Sequence, residues 1–310
     1  MLTRRHFLRG FGGLALGTTA LGSYAFAIEP GLMLGVTRYN VTPATWPVDL
    51  KLKIAVIADI HACEPWMPAG RIREIAEVAN SLNPDLTVLL GDFSGGHKFV
   101  TGPVMPEEWA EALSVLKAPL GCFSVLGNHD WWHGPLPNMK PDGAEGVRRG
   151  LRQAGIRLLE NDAVRLSFNG QPFWLLGLAD QMAWWSFRTG SRKGADDLAG
   201  TLKQVNDDAP AILLAHEPYI FPKVPDRVAL TLCGHTHGGQ VNLPIIGPII
   251  AEERFGRKLV YGHSNEGSRH IVVSAGLGTS IVPVRFMRPP EVVEVTVSGP
   301  AAKGAPLLQS

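Results

Sequence analysis

Five apolar runs in this chain each stop at a carboxylate, an amide or an imidazole. Residues 54–58 run into Asp59 and His61, residues 86–90 into Gly91 and Asp92, and residues 122–126 into Gly127, Asn128, His129 and Asp130. Further on, residues 212–215 meet His216, and residues 230–233 meet Gly234, His235, Thr236 and His237. Taken singly, most of these endings have ordinary explanations: Asp59 as a helix cap, Gly91-Asp92 and Gly127-Asn128 as turns, His216 as a hydrogen-bonded core residue. His235 and His237 alternate in a glycine-rich loop, which favours ligation even in isolation. Repeated along the chain, the pattern points to one shared site at the carboxyl edge of a sheet, where open α/β sheets place their ligands.

The donor set combines hard oxygens with imidazoles, which suits Mn, Fe or Zn, manganese first, better than calcium or magnesium alone. Asp59, His61, Asp92, Asn128, His216, His235 and His237 exceed what one four-coordinate catalytic ion with an open position can use, so two divalent ions are expected. Two cations roughly 3.5–4 Å apart repel each other and need an anionic bridge, for which Asp92 is the candidate. Such a pair lowers the pKa of a shared water and stabilises charge on a phosphoryl group under in-line attack.

The elements that must position these residues alternate. Residues 54–58, 86–90 and 122–126 read as buried strands, and residues 69–82 and 107–116 have helical spacing. A helix is expected between 143 and 155, then strands at 156–159, 164–168 and 173–178, the last two joined by the hairpin turn Asn169-Gly170. A helix at 195–205 and strands at 211–215 and 228–233 follow, and strands at 271–274 and 292–297 complete a second, more antiparallel sheet. Prolines at 43 and 47 suggest a short edge hairpin within 31–50. The expected fold is α/β: two mixed β-sheets packed face to face with flanking helices outside, a four-layer sandwich.

Residues 1–27 have a basic start, an apolar run over 11–21 and the small-residue ending Ala25-Phe26-Ala27. That is the anatomy of a secretory leader, with cleavage expected after Ala27 rather than retention as an anchor. Arg4-Arg5 followed by Phe7-Leu8 resembles the twin-arginine signal, which implies the twin-arginine export machinery as a partner and a periplasmic or envelope destination. The domain plan is thus a leader at 1–27, one catalytic domain at 28–298 and a loose tail at 299–310. With a formal charge of +1, three of its arginines in the leader, the body is near neutral and offers no electrostatic case for a nucleic-acid partner. The odd number of cysteines, Cys63, Cys122 and Cys233, argues against a disulfide framework.

In order and at comparable spacings, Asp59-x-His61, Gly91-Asp92, Gly127-Asn128-His129-Asp130, His216 and Gly234-His235-x-His237 resemble the signature of the calcineurin-like metallophosphoesterase superfamily. The similarity runs from Lys53 to about His237, and residues 276–291 resemble the ending of a bacterial branch that is exported or membrane-associated. The resemblance implies Asp59, His61 and His237 on one metal, Asn128, His216 and His235 on the other, and Asp92 between them. It implies further that His129 protonates the leaving oxygen or stabilises the transition state, with Asp130 orienting and charging its ring.

No Gly-x-Ser-x-Gly elbow, Walker loop or dinucleotide fingerprint is present. The reading from another class is a metal-bound interaction module without catalysis. Within the enzyme reading the ester stays open among phosphodiester, phosphomonoester and pyrophosphate. A diester of envelope lipid, sugar or wall polymer is favoured because His129 supplies an acid for a poor alkoxide leaving group, with nucleotides or lipid-linked sugars as alternatives. Export of such an enzyme also implies peripheral contact with the membrane. His97, His133, His263 and His270 fit no motif position. Trp131-Trp132 and Trp184-Trp185 are core cover or a substrate rim, and Arg254, Arg257, Arg285 and Arg288 are solvated cations or phosphate contacts.

Overall fold

The computed structural model describes residues 4–95, 97, 99–132, 143–185, 189–249 and 257–300. His133, Arg254 and most of the expected C-terminal tail lie outside the described residues, as does the Arg257 side chain.

Strands β1 (Gly35–Val41), β2 (Leu52–Ile57), β3 (Leu86–Leu89), β4 (Cys122–Ser124) and β5 (Arg157–Leu158) belong to the first six-stranded sheet. The second holds β6 (Asp162–Phe168), β7 (Gln171–Gly177), β8 (Ala211–Leu214), β9 (Val228–Cys233), β10 (Gly262–Glu266) and β11 (Arg269–Val273), and β12 (Glu291–Val297) returns to the first. Their orders are β1-β12-β2-β3-β4-β5 and β10-β11-β9-β8-β7-β6.

Because successive strand residues face opposite ways, each strand supplies two layers. Ile54 and Val56 of β2 join Leu175, Ile212, Leu230 and Val295 in the apolar layer between the sheets. Ala55 and Ile57 of the same strand turn outward against α2 (Ala69–Ser81) and α3 (Pro106–Leu113). Helix α2 buries Ile72, Ile75, Ala76 and Ala79, the i, i+3, i+4, i+7 stripe of a one-sided helix. In the second sheet Leu176, Leu213 and Ile271 point to the opposite outer layer with Phe221. Strands buried on both faces explain why these runs are continuously apolar rather than alternating.

Three expectations about connectivity are corrected. β12 does not complete the second sheet. It lies in the first, parallel to β1 and antiparallel to β2. Residues 31–50 form the single strand β1 instead of a hairpin, since β12 gives that strand its partner. The second sheet is also parallel through its centre, β7 to β8 to β9 to β11, with antiparallel pairs confined to its edges. In both sheets the parallel strands therefore end on one side, and the loops leaving those ends carry the polar residues singled out above.

At the amino terminus, helix α1 (Arg4–Ser23) continues through a π turn, Tyr24–Ile28, into a last helical turn at Glu29–Leu32. Its stretch Phe11–Leu32, 22 residues of mean hydropathy 1.3, is long and apolar enough to cross a membrane. The apolar run alone looked too short because the helix does not stop at the small-residue ending. This single N-terminal apolar helix has the length of either an export signal or a membrane anchor.

Candidate binuclear metal centre

Loops after β2, β3, β4, β8 and β9 converge on one buried point. The backbone of the first two is zipped together: Asp59 N donates to Gly91 O at 3.1 Å and His61 N to Asp92 O at 2.9 Å. The third loop comes within reach because Gly127 has no side chain: a Cβ there would sit 2.3 Å from Asp92 Oδ1 and 2.6 Å from the His216 ring. Gly91, at φ 87°, makes the reciprocal close approach to the Gly127 backbone.

Five of the expected ligands, Asp59, His61, Asp92, His235 and His237, hold left-handed backbones with φ between 46° and 70°. Side chains with a Cβ rarely adopt that region, and such strain clusters where the surrounding fold imposes a functional geometry. Asp59, His61, Asp92, Asn128, His216 and His237 are all buried.

The side-chain atoms that meet there are mostly acceptors. His61 Nε2 faces His237 Nε2 at 3.0 Å, His235 Nδ1 faces Asn128 Oδ1 at 2.9 Å, and Asp92 Oδ2 lies 3.2 Å from His216 Nε2 and 3.5 Å from His61 Nε2. Asp59 Oδ2 is buried without a hydrogen-bond partner among the protein atoms. Orphaned buried acceptors facing one another are costly in a protein interior. A cation among them removes that cost, so the residues present fit a metal.

Asp59, His61 and His237 form one group whose ligand atoms lie within 4.8 Å of one another, and Asp59, Asp92 and His216 form a second. A third group joins His216 and His235 to Glu217. Asp92 stands between the His61 side and the His216 side, where a bridging carboxylate would be. The outward nitrogens are fixed by carbonyls: His216 Nδ1 donates to Leu90 O at 2.6 Å and His61 Nδ1 to Ser94 O at 3.2 Å. Both rings thus turn Nε2 to the centre, the orientation that carbonyl partners impose on metal-binding histidines.

Burial and mutual charge set the protonation of the metal-free site. Desolvation pushes the Asp59 carboxyl up to about 7. It also opposes charge on Asp92, but the neighbouring His216, His129 and His61 rings outweigh it and hold Asp92 well below the usual carboxylate range. The same pairing, against burial, raises His216 well above an ordinary imidazole. His235 and His237 are driven down by burial, His235 to about 3, which keeps their lone pairs available.

His129 sits at the rim. Its backbone N donates to Asp92 Oδ1 at 2.8 Å, its ring meets His61 edge-on at 4.8 Å, and its Nε2 lies 3.2 Å from Ser280 Oγ. Asp130 performs a different task from the one expected of it. Oδ1 accepts from the amides of Phe93 and Ser94, and Oδ2 from those of Asp92 and Gly127, at 2.8–3.1 Å. A carboxylate has about four lone-pair sites, and here backbone amides take them all. Asp130 therefore clamps the Asp92 loop to the Asn128 loop, rather than serving as the orienting partner of the His129 ring.

Arg285 is likewise no phosphate contact: wholly buried, it donates to the carbonyls of Ala275, Gly278 and Arg288 and lies 3.4 Å from His237 Nδ1. Arg288 lies over the Tyr261 ring at 3.9 Å. The tryptophan pairs are joined in space: Trp131 meets Trp184 at 5.7 Å, and Trp132 meets Trp185 at 4.9 Å and His129 at 5.6 Å. Trp184 is about half exposed, so the indoles make an aromatic wall beside His129 rather than core cover alone. Arg192 and Lys193 lie against Trp185 and Trp184 on the same side. Sequence reading missed Glu217, which groups with His216 and His235, and Ser280, which meets His129. Glu217 directly follows a ligand at a strand end, which was the available signal, whereas nothing local marks Ser280.

A two-sheet α/β sandwich with oxygen and imidazole donors on the shared carboxyl edge defines a metal-dependent phosphoesterase class. Residues 52–239 match the profile of the calcineurin-like phosphoesterase family, and the chain belongs to that family. It is 32% identical to the metallophosphoesterase YkuE of Bacillus subtilis (strain 168), over 96% of this chain and 98% of that protein. It is 28% identical to the phosphodiesterase YaeI of Escherichia coli (strain K12), over 94% and 98% of the two chains. With the UDP-2,3-diacylglucosamine pyrophosphatase LpxG of Chlamydia trachomatis it shares 27% identity over 87% of this chain and 90% of that one.

Proposed function

We propose that the chain hydrolyses phosphodiesters of cell-envelope lipid, sugar or wall-polymer material, using two divalent ions, manganese first among them. The observation that carries this is the meeting of buried, mutually facing acceptors around Asp92 with His129 at their rim. Asp59, His61 and His237 would hold one ion, Asn128, His216 and His235 the other, and Asp92 both. Bound there, the ions supply an activated water and neutralise charge growing on the phosphoryl oxygens. His129 Nε2, within hydrogen-bond reach of Ser280 Oγ, delivers a proton to the departing alkoxide. Asp130 keeps Asp92 and Asn128 in register by its grip on both loops. The aromatic wall of Trp132 and Trp185 excludes water from the leaving-group side.

The diester choice is supported by the acid at the rim and by the likeness to a phosphodiesterase. The likeness to a pyrophosphatase acting on a lipid-linked sugar nucleotide favours a second reading, cleavage of a lipid-linked pyrophosphate. A panel of mono-, di- and pyrophosphate esters, lipid-linked ones included, run on protein of measured metal content, tests both. Turnover that peaks on diesters and vanishes with chelator is expected. Turnover that survives complete metal removal, or none with any metal, overturns the proposal, the second result in favour of a metal-bound interaction module.

A further inference from the structure

The loops that leave the metal centre on the His237 side carry a set of large apolar residues that the fold does not use. Ile245, Ile246 and Ile249 follow the ligand loop, and Ile281 and Met287 belong to the segment that brings Ser280 to His129 and Arg285 to His237. All are exposed, Ile245 completely and Ile281 by 69%. Ile245, Ile281 and Met287 also hold left-handed backbones, at φ 73°, 67° and 52°. A β-branched residue is the poorest choice for that conformation, and glycine or asparagine the best. These side chains oppose both local backbone preference and solvation, so folding does not account for them.

The two segments form one stiff collar. Asn242 N donates to Phe286 O and Phe286 N to Gln240 O, while the buried Gln240 side chain bonds Ser280 N, Val282 O and Val284 O. The end of the long apolar helix docks on that same collar. Arg285 N donates to Ala25 O at 3.0 Å, the Tyr24 ring meets Phe286 edge-on at 6.1 Å, and the buried Glu29 carboxylate accepts from the amides of Met287 and Arg288. Trp66 Nε1 donates to Phe26 O from the other side. The apolar helical stretch Phe11–Leu32 is long enough to cross a bilayer, and Arg4, Arg5 and Arg9 precede it in the chain.

We propose that α1 stays attached as a membrane anchor and that the isoleucine collar seats the mouth of the metal centre in the headgroup layer of the same bilayer. A clustered exposed apolar surface continuous with a membrane-length helix fits lipid better than a protein partner. A cut after Ala27 would remove the Ala25 and Phe26 contacts that hold the helix end to the body. The consequence, that phosphate esters of lipid head groups lie nearest the site, rests on the phosphoesterase reading. The placement does not.

Full-length protein reconstituted in 7:3 phosphatidylethanolamine and phosphatidylglycerol vesicles tests the placement. An environment-sensitive fluorophore on Ile246→Cys should be quenched by spin-labelled lipid at least about threefold more than one on Ser167→Cys, at the strand end remote from the site. Equal quenching at the two positions overturns the proposal. In an Ile245→Asn/Ile281→Asn background the quenching at 246 should fall to the level at 167 with Tm unchanged or raised. A lowered Tm would assign the two residues to folding and overturn their role. Recovery of the chain from its cells as a soluble species beginning at Ile28 would overturn the anchor. Hydrolysis of a soluble aryl phosphodiester by the same vesicles reports separately on the phosphoesterase reading, so its absence would sink that reading and leave the placement result standing.

Discussion

The carboxyl edge of the first sheet delivers Asp59, His61, Asp92, Asn128 and His129 to the centre, whereas that of the second delivers mainly imidazoles, His216, His235 and His237, with the Glu217 carboxylate beside them. The first edge is built from loops bound to one another through Gly91, Gly127 and the Asp130 clamp. The second is placed mainly by long-range contacts to the first, His216 Nδ1 on Leu90 O and His235 N on Asp59 Oδ1. The first sheet thus supplies most of the oxygen donors and the geometry, and the second supplies mainly imidazoles that follow it. Damage to the first edge should cost more than equal damage to the second.

Asp92→Asn is the strongest test of that asymmetry. It removes the carboxylate whose Oδ2 lies within 3.5 Å of both the His61 and the His216 ring, so two ions held there would lose the anion proposed to lie between them. Turnover of an aryl phosphate should fall by more than about 100-fold, beyond the range seen for residues that only orient metal ligands, and metal content should drop below two per chain. His235→Ala, on the imidazole edge, should lose less metal. If elemental analysis shows the two variants equally depleted, the division of labour between the sheets is wrong.

Next in size is His129→Ala, which leaves every expected ligand in place. General acid catalysis is worth about 10²- to 10⁴-fold, and it matters most for poor leaving groups. The kcat loss should therefore be at least about tenfold larger for an alkyl than for an activated aryl diester, with two metals retained. Identical losses for the two substrates would remove His129 from the acid role.

The seam between loops yields the third test. Asp130→Ala strips four backbone amides of their acceptor in a buried place, and each unsatisfied group costs about 1–3 kcal/mol before water or relaxation compensates. Stability measured by urea denaturation should fall by about 3 kcal/mol or more, and metal affinity with it. A variant as stable as the wild type but inactive would restore Asp130 to a role at His129.

Much of the site was legible because its signal is local. A buried strand that ends in Asp, Asn or His is visible in a short stretch of sequence, and five such ends fall on one side once the strands are parallel. What failed was non-local. The valines of 291–297 announce a strand, but nothing in their period says that it lies between β1 and β2. Asp130 and Arg285 resemble a catalytic carboxylate and a surface cation until the backbone amides and carbonyls that surround them are known. Those backbone groups carry no residue identity, so no motif could report them.

The smallest predicted effect concerns pH and separates the two edges in the metal-free chain. Burial pushes the Asp59 carboxyl up to about 7 in the fold, so it stabilises most when protonated and loses that contribution as pH rises through 7. His216, raised above 6.5 by Asp92 against burial, acts in the same direction. His235 and His237, lowered by burial, act oppositely but only as pH falls through 6.5, and Asp92 is lowered so far that its window lies below about 4. Asp180 and Glu217, also raised by burial, add to the first direction, and above 6.5 the raised groups act without opposition from His235 and His237. Tm of the chelated protein should therefore fall by a few degrees from pH 6.5 towards pH 8, and manganese should restore it most at the alkaline end, where the carboxylates are ionised. A chelated protein whose Tm rises from pH 6.5 to 8 would mean that the acidic edge is not held protonated by burial, and that the two edges differ in donor type alone.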